Sequence, residues 1–383
     1  MYPRWRDDPL GGFLHRLARQ LPQHGFSIHV LTPLAAGAPG EETWDGVSIR
    51  RFPHPGRDIA YTGEMHRAAL RHPFQLVGFL GAFRKAFQRM SLETKPAIVH
   101  AHWWFPSGWI VARSKLPDLD PPLVLSVHGT DIRLLSRLPA ALPVARAVFK
   151  RAEAVLPVSE FLSSELGRLG IGNARRTVLP MPADSDQFSI KPSAGTRRDF
   201  VVAARLVRQK RVDVAIRGLA HARTQGVHAS LHVLGDGPER GRLEVLTKDL
   251  GCHDSVHFHG FQSPDRLADW FRSALAVVLC SQDEGYGLVL VEAALCGTPG
   301  IGVKSGAIPE NILDGRSGWL ADAGDWKGIG NAMRSAVLEP SIAVARGMLA
   351  RERALGATAQ PLAEKLAGIY RQLSGISKGF ERR

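Results

Sequence analysis

Short apolar runs of strand length recur along this chain, and segments with apolar residues at helical spacing lie between them. In the first half the runs are 27–31, 47–52, 97–102, 123–127, 154–158 and 177–179. In the second half they are 200–204, 230–234, 256–258, 275–280, 300–303 and 319–320. Helical patterns fall at 13–23, 107–115, 138–151 and 160–169, with a long, partly helical region at 57–90 that Pro73 interrupts. Strand and helix in alternation at this spacing imply parallel sheets covered on both faces. The expected fold class is therefore α/β, with two Rossmann-like, doubly wound domains facing a cleft. A polar Pro/Gly break at 182–198 divides them, so the domains are expected at 1–182 and 199–383. The amphipathic stretch 360–373 closes the chain and can cross back onto the first domain.

One stretch concentrates the chemistry. Residues 281–299 read Ser-Gln-Asp-Glu-Gly-Tyr-Gly-Leu-Val-Leu-Val-Glu-Ala-Ala-Leu-Cys-Gly-Thr-Pro. Gly285 and Gly287 end the strand pattern, and a helical pattern follows until Gly297-Thr-Pro. Glu284 then sits on a strand-to-helix loop and Glu292 inside the helix. Backbone N–H groups beside a helix N-terminus suit an anion, and a carboxylate accepts hydrogen bonds from vicinal hydroxyls. On spacing alone Glu284 reads equally as a loop charge and Glu292 as a solvated helix residue.

Three further constellations point to the same chemistry. Gly11-Gly12 opens the first helix and allows close backbone approach to a phosphate, or serves as a plain turn. Arg205 and Lys210 follow the first strand of the second domain, where α/β sheets bind ligands; two cations there neutralise a diphosphate or line a basic loop. Arg208 and Arg211 beside them read as surface residues. His128 in His-Gly-Thr-Asp131 follows a strand and either bonds a sugar hydroxyl or is structural. Gly235-Asp-Gly-Pro238 reads as a turn that shapes the cleft. His100 and His102 share one strand face but have no evident third metal ligand. Asp118/Asp120 and Asp184/Asp186 read as turn residues.

Composition bounds the partners. The 383 residues carry a formal charge of +13, spread over both halves with no basic tail, which argues against nucleic acid and for an anionic substrate or surface. The three cysteines have neither metal nor disulfide spacing, as in a reducing compartment. No run approaches the roughly 18 apolar residues of a membrane span, and the polar start of the chain is unlike a signal peptide.

Together these residues resemble retaining glycosyltransferase family 4, whose members have the two-domain GT-B fold. The resemblance runs nearly end to end and includes Ala307-Ile-Pro-Glu310 and Asp314-Gly-Arg-Ser-Gly318. It implies a nucleoside-diphosphate sugar donor held mainly by the second domain. Arg205 and Lys210 would bind the diphosphate and Glu292 the ribose. Glu284 would hold sugar hydroxyls, and the backbone of Gly285, Tyr286, Gly287, Leu288 and Val289 would cradle sugar and phosphate. Gly11 and Gly12 would approach the donor from the first domain. His128 would contact the donor sugar near the reacting carbon. It also implies transfer with retention, no metal and no cofactor. Base contacts are expected near 259–263.

Two departures from the family pattern follow. A strand usually precedes the glycine loop; here Met1 stands where it should end, so a truncated or misassigned start is expected, with a central strand lacking and ladder bonds lost on both sides. Gly300, Gly302 and Ala307 stand where the family often has other residues. The acceptor, a saccharide or a lipid-linked one, is expected on the first domain. Residues 67–95 hold six basic residues against one acidic, with Phe74, Val77, Phe79, Leu80, Phe83 and Phe87 interleaved. That pattern fits an interfacial helix on anionic lipid or a helix packed on the sheet. The expected setting is cytoplasmic, at the inner membrane face, in surface polysaccharide or glycolipid synthesis. A sugar-nucleotide 2-epimerase of the same fold and an inactive binding or scaffold protein are the alternatives.

Overall fold

The structure is a computed structural model that describes residues 2–6, 8, 11–55, 72–171, 176–191 and 197–375. It comprises two compact units: Met1–Pro182 with Ala359–Arg383, and Ala183–Thr358.

The described residues of the first unit form the strands β1 (Ile28–Pro33), β2 (Glu41–Trp44), β3 (Val47–Phe52), β4 (Val99–His102), β5 (Leu123–Val127) and β6 (Ala154–Pro157). They do not form one doubly wound sheet. β1, β3 and β2 form one sheet in that order, and β4, β5 and β6 form a second. Among the described residues the break falls between β1 and β4. Among the described residues, β1 is hydrogen-bonded only to β3 and β4 only to β5. Side-chain packing bridges the break. Ile28 and Ile98 share one apolar cluster, and Leu31 and Val99 another.

Local chemistry explains the differences from the sequence reading. β2 has no apolar alternation, but Asp45-Gly46 follows it with both residues at positive φ, the two-residue turn that joins antiparallel strands. Pro73 does not interrupt a helix; it occupies the first turn of the helix Pro73–Thr94, where its missing N–H costs nothing. The earlier part of that region, 57–71, lies outside the described residues. Residues 177–179 run alongside β6, with Thr177 donating to Val155 and Leu179 to Pro157 at 3.1 and 2.9 Å.

The last helix, Ala359–Ser374, crosses back and belongs to the first unit, so the second unit ends at Thr358 and not at 383. Its buried face of Leu362, Ala363, Leu366, Ala367 and Tyr370 shares a cluster with Leu17, Val124 and Leu156. Lys365 donates to the Val178 carbonyl and Arg371 to that of His24.

The second unit holds β7 (Phe200–Ala203), β8 (Leu231–Leu234), β9 (Val256–Gly260), β10 (Ala276–Leu279), β11 (Gly300–Val303) and β12 (Gly318–Ala321). All pair in parallel, in the order β12-β11-β10-β7-β8-β9. Counted from β7, this is the Rossmann order, whose switch point lies between its first and fourth strands, β7 and β10. Residues 183–191 are not a free linker. Phe188 packs on Phe271, and the Arg272 guanidinium donates to the carbonyls of Gln187 and Ser189. Two carbonyls of this segment thus find their donor in the second unit.

Candidate active site

The loops after β7 and β10 meet at the switch point. The Gln282 N–H donates to the Gln209 carbonyl at 2.8 Å, and the Gln209 side-chain amide donates back to the carbonyls of Gln282 and Asp283. This reciprocal pairing holds Lys210 against Glu284, with Nζ 2.8 Å from Oε2. Both side chains are mostly buried. Burial pushes the Glu284 carboxyl up, but the Lys210 ammonium and the Tyr286 N–H outweigh it and hold the pKa below the usual carboxylate range. Arg205 stands exposed on the same loop, and no side-chain partner holds it among the described residues.

Glycines set this geometry. The Gly235-Asp-Gly237 turn buttresses the β7 loop: Leu206 donates to the Asp236 carbonyl, and Glu239 donates to that of Leu206. A Cβ on Gly235 would stand 2.0 Å from the Ala204 oxygen, and one on Gly237 2.4 Å from the Leu206 oxygen. Gly306 does the same for the β10 loop. It has φ +59°, and a Cβ there would meet the Glu284 nitrogen at 2.4 Å and its oxygen at 2.3 Å. Ala307 donates to the Glu284 carbonyl at 2.8 Å, Ser305 Oγ accepts from Asp283 N–H, and Asn311 donates to the Tyr286 carbonyl. The sequence reading missed Gly306, Asn311 and Gln209 as supports; Ala307-Ile-Pro-Glu310 beside them was its only signal.

Gly287, at φ +81°, caps the helix Leu288–Leu295 without a side chain. The first N–H groups of a helix have no intrahelical acceptor, so Leu288 and Val289 turn a positive helix end toward this loop. Glu292 is half-buried one turn on. Tyr286 is buried, and burial with Glu310 and Glu292 raises its phenol. Its side chain is part of the fold, so only its backbone fits a cradle.

In the first unit the structure brings His128 to the Gly11-Gly12 turn. Gly11 caps the first helix at φ +77°, and Phe13 packs on the His128 ring at 5.4 Å. His102 Nδ1 lies 3.1 Å from His128 Nε2, and Trp103 covers the ring at 4.6 Å. The ring is partly accessible, yet its Nδ1 is sealed and has no hydrogen-bond partner. Burial pushes the imidazole down to about 3, so it is neutral at physiological pH. Asp131 Oδ1 accepts the N–H groups of His128 and Gly129, and its Oδ2 is buried without a partner. Burial lifts this carboxyl to about 6.

The metal-like pair resolves into hydrogen bonds. His100 and His102 stack at 4.4 Å, and both nitrogens of His100 are engaged, with Tyr370 Oη and Ser126 Oγ. Among the described residues no group of three or more His, Cys, Asp or Glu is arranged to hold a metal. Asp184 Oδ1 accepts the N–H groups of Asp186 and Gln187, as a turn residue does. All three cysteines are free and buried.

Residues 184–353 match the family described as Glycosyl transferases group 1, and residues 11–182 the Glycosyl transferase 4-like domain. The chain is 27% identical over 387 residues to a GDP-mannose-dependent alpha-(1-6)-phosphatidylinositol monomannoside mannosyltransferase of Mycobacterium tuberculosis, covering 94% of this chain and 93% of the relative. It is 28% identical over 335 residues to the N-acetyl-alpha-D-glucosaminyl L-malate synthase of Bacillus anthracis, covering 82% and 80%. Among solved structures it resembles the sucrose-phosphate synthase of Thermosynechococcus elongatus, with TM-score 0.78, 21% identity and coverage of 95% and 93%. It also resembles Anabaena HepE in complex with UDP and glucose, with TM-score 0.71, 18% identity and coverage of 96% and 97%. With the two matches spanning both units and the Lys210–Glu284 pair at the switch point, this chain belongs to the group 1 glycosyl transferases of the GT-B fold.

Proposed function

We propose that this protein transfers a sugar from a nucleoside-diphosphate donor to a saccharide or glycolipid acceptor, with retention and without a metal. The Lys210–Glu284 pair carries the reading. It places a cation and a hydroxyl acceptor side by side at the switch point, as a sugar diphosphate requires. In the proposed reaction Lys210 and Arg205 take up the charge of the departing diphosphate, which a metal would otherwise do. The helix beginning at Leu288 adds its N-terminal dipole, and Glu292 binds the ribose. Glu284 positions sugar hydroxyls and is not a nucleophile, because a carboxylate held by an ammonium is a poor attacking group. The acceptor hydroxyl approaches the face the diphosphate leaves, and a phosphate oxygen takes its proton. His128 is assigned to the donor sugar by the family resemblance; its neutral imidazole suits a hydrogen-bonding contact and not a charge-neutralising one.

Relatives named for GDP-mannose and neighbours solved with UDP and glucose support a nucleotide-sugar donor. Incubation with UDP-, GDP- and ADP-sugars, with and without EDTA, tests the reading. Donor-dependent release of nucleoside diphosphate that survives EDTA is expected; no release with any donor would overturn it.

We place the reaction at the cytoplasmic face of a membrane, on a lipid-linked acceptor. No helix among the described residues is long and apolar enough to cross a membrane. The helix Pro73–Thr94 instead exposes Phe74 (91%) and Val77 (68%) in its first turns, followed by exposed Arg84, Lys85 and Arg89. An apolar tip with cations behind it suits an anionic bilayer surface. Flotation with anionic liposomes should be lost in Phe74→Asp and at high salt; equal flotation by both chains would refute it.

A further inference from the structure

A second cluster of titratable groups lies in the second unit, apart from the Lys210–Glu284 loops. His232 stands on β8 and His259 on β9, the edge strand of the sheet. The ladder between them is irregular. His232 pairs with His257 and Val233 with Phe258, but Leu234 then pairs with Gly260, which leaves His259 as the extra residue of a bulge. Bulges re-aim side chains. Here His259 leans toward β8, and its Nε2 lies 3.0 Å from His232 Nδ1. Behind them Asp199 Oδ2 stands 3.5 Å from His232 Nε2. The Trp270 ring lies 4.7 Å from both imidazoles, and His257 stacks on His232 at 5.2 Å.

We propose that His232 and His259 form a two-point chelate for a zinc-like divalent cation, oriented by Asp199. The Asp199 carboxylate favours the tautomer of His232 with its proton on Nε2, which leaves a lone pair on Nδ1, the nitrogen that faces His259. A ligating imidazole is ordinarily fixed in this way by an outer-shell carboxylate. Only one proton occupies the gap between the two rings. If His259 carries that proton on Nδ1 instead, both facing nitrogens present lone pairs. His259 is exposed, so its ring is free to make that change and to turn. Zn–N bonds of about 2.0–2.1 Å at a tetrahedral angle place two nitrogens about 3.3 Å apart. The observed 3.0 Å needs to open by only a few tenths. Water completes the coordination, since two nitrogens converge here and not three. A cation so held would clamp the edge strand β9 onto β8.

The untagged full chain, stripped with EDTA and then dialysed, tests this. Zinc chloride should bind with one-to-one stoichiometry by calorimetry and raise Tm. His259→Gln, whose side chain is exposed, should bind at least about tenfold more weakly, and Asp199→Asn should fall by roughly tenfold as an outer-shell loss does. Nickel should quench Trp fluorescence in the wild type and not in Trp270→Phe. Circular dichroism confirms that each variant folds. The absence of saturable zinc binding by the wild type, or binding unchanged in His259→Gln, would overturn the proposal.

Discussion

Lys210 Nζ and Glu284 Oε2 are 2.8 Å apart, although 74 residues separate them in the chain. The two loops that carry them are tied by a reciprocal pairing through Gln209 and Gln282. The pair is therefore held by the protein's own loops. Lys210→Ala leaves a mostly buried carboxylate without its cation, and should cost about 3 kcal/mol of stability and about 100- to 1,000-fold in kcat/KM. Glu284→Gln keeps the shape but leaves Lys210 without its carboxylate, and should lose both stability and sugar positioning. Thermal melts with donor-hydrolysis kinetics on both variants check this; near-wild-type turnover in both would remove the pair from the site.

Gly306 is the rear wall of the Glu284 loop. A Cβ there would meet the Glu284 backbone at 2.3–2.4 Å, and φ is +59°. Gly306→Ala should therefore displace the loop and cost about 2–4 kcal/mol, by overpacking together with backbone strain. Gly315→Ala, at similar φ but with open space, should cost only about 1 kcal/mol. Denaturant titration of the two variants separates the steric contribution from the conformational one.

Asp131 makes a pH prediction with a definite sign. Its carboxyl is raised by burial to about 6 in the folded chain, above the 3.8 of an ordinary aspartate. A raised carboxyl favours the protonated folded state, so stability is greatest below the unfolded pKa and falls as pH rises toward 6. The loss should be on the order of 3 kcal/mol, from a shift of about two units. Asp131→Asn keeps an oxygen for the N–H groups of His128 and Gly129. It should therefore melt higher than the wild type at pH 7.5 and converge with it at pH 4. Parallel melts across that range would disprove the assignment if the difference did not change.

The last helix is a structural part of the first unit. Leu366 is 1% exposed in its cluster with Leu17 and Val124. Leu366→Ala should cost about 2–5 kcal/mol, and proteolysis near the C-terminus should accelerate. Tyr370→Phe removes the hydroxyl bonded to His100 Nδ1 at 2.6 Å and should cost about 1 kcal/mol. If neither variant alters the melt, the helix contributes nothing to the unit's stability.

The sequence by itself determined the second unit almost completely. Its described strands are short and, apart from the histidines of β8 and β9, mainly apolar, so the apolar runs placed them within a residue or two. Its first and fourth strands lead into the loops that carry Lys210 and Glu284, which made the candidate site legible. β2 escaped because Glu-Glu-Thr-Trp holds a single apolar residue, and the helix Thr130–Arg137 because its eight residues are too few to establish a period. Tertiary structure alone decided the rest. It assigned residues 183–191 to the second unit and the last helix to the first, because partners more than 70 residues away satisfy their polar groups and bury their apolar faces. It divided the first unit's strands into two sheets, since pairing depends on which backbone edges meet. It also set Gly306 and Asn311 behind Glu284 and brought His259 to His232, contacts that arise from packing and register and leave no local signature in the chain.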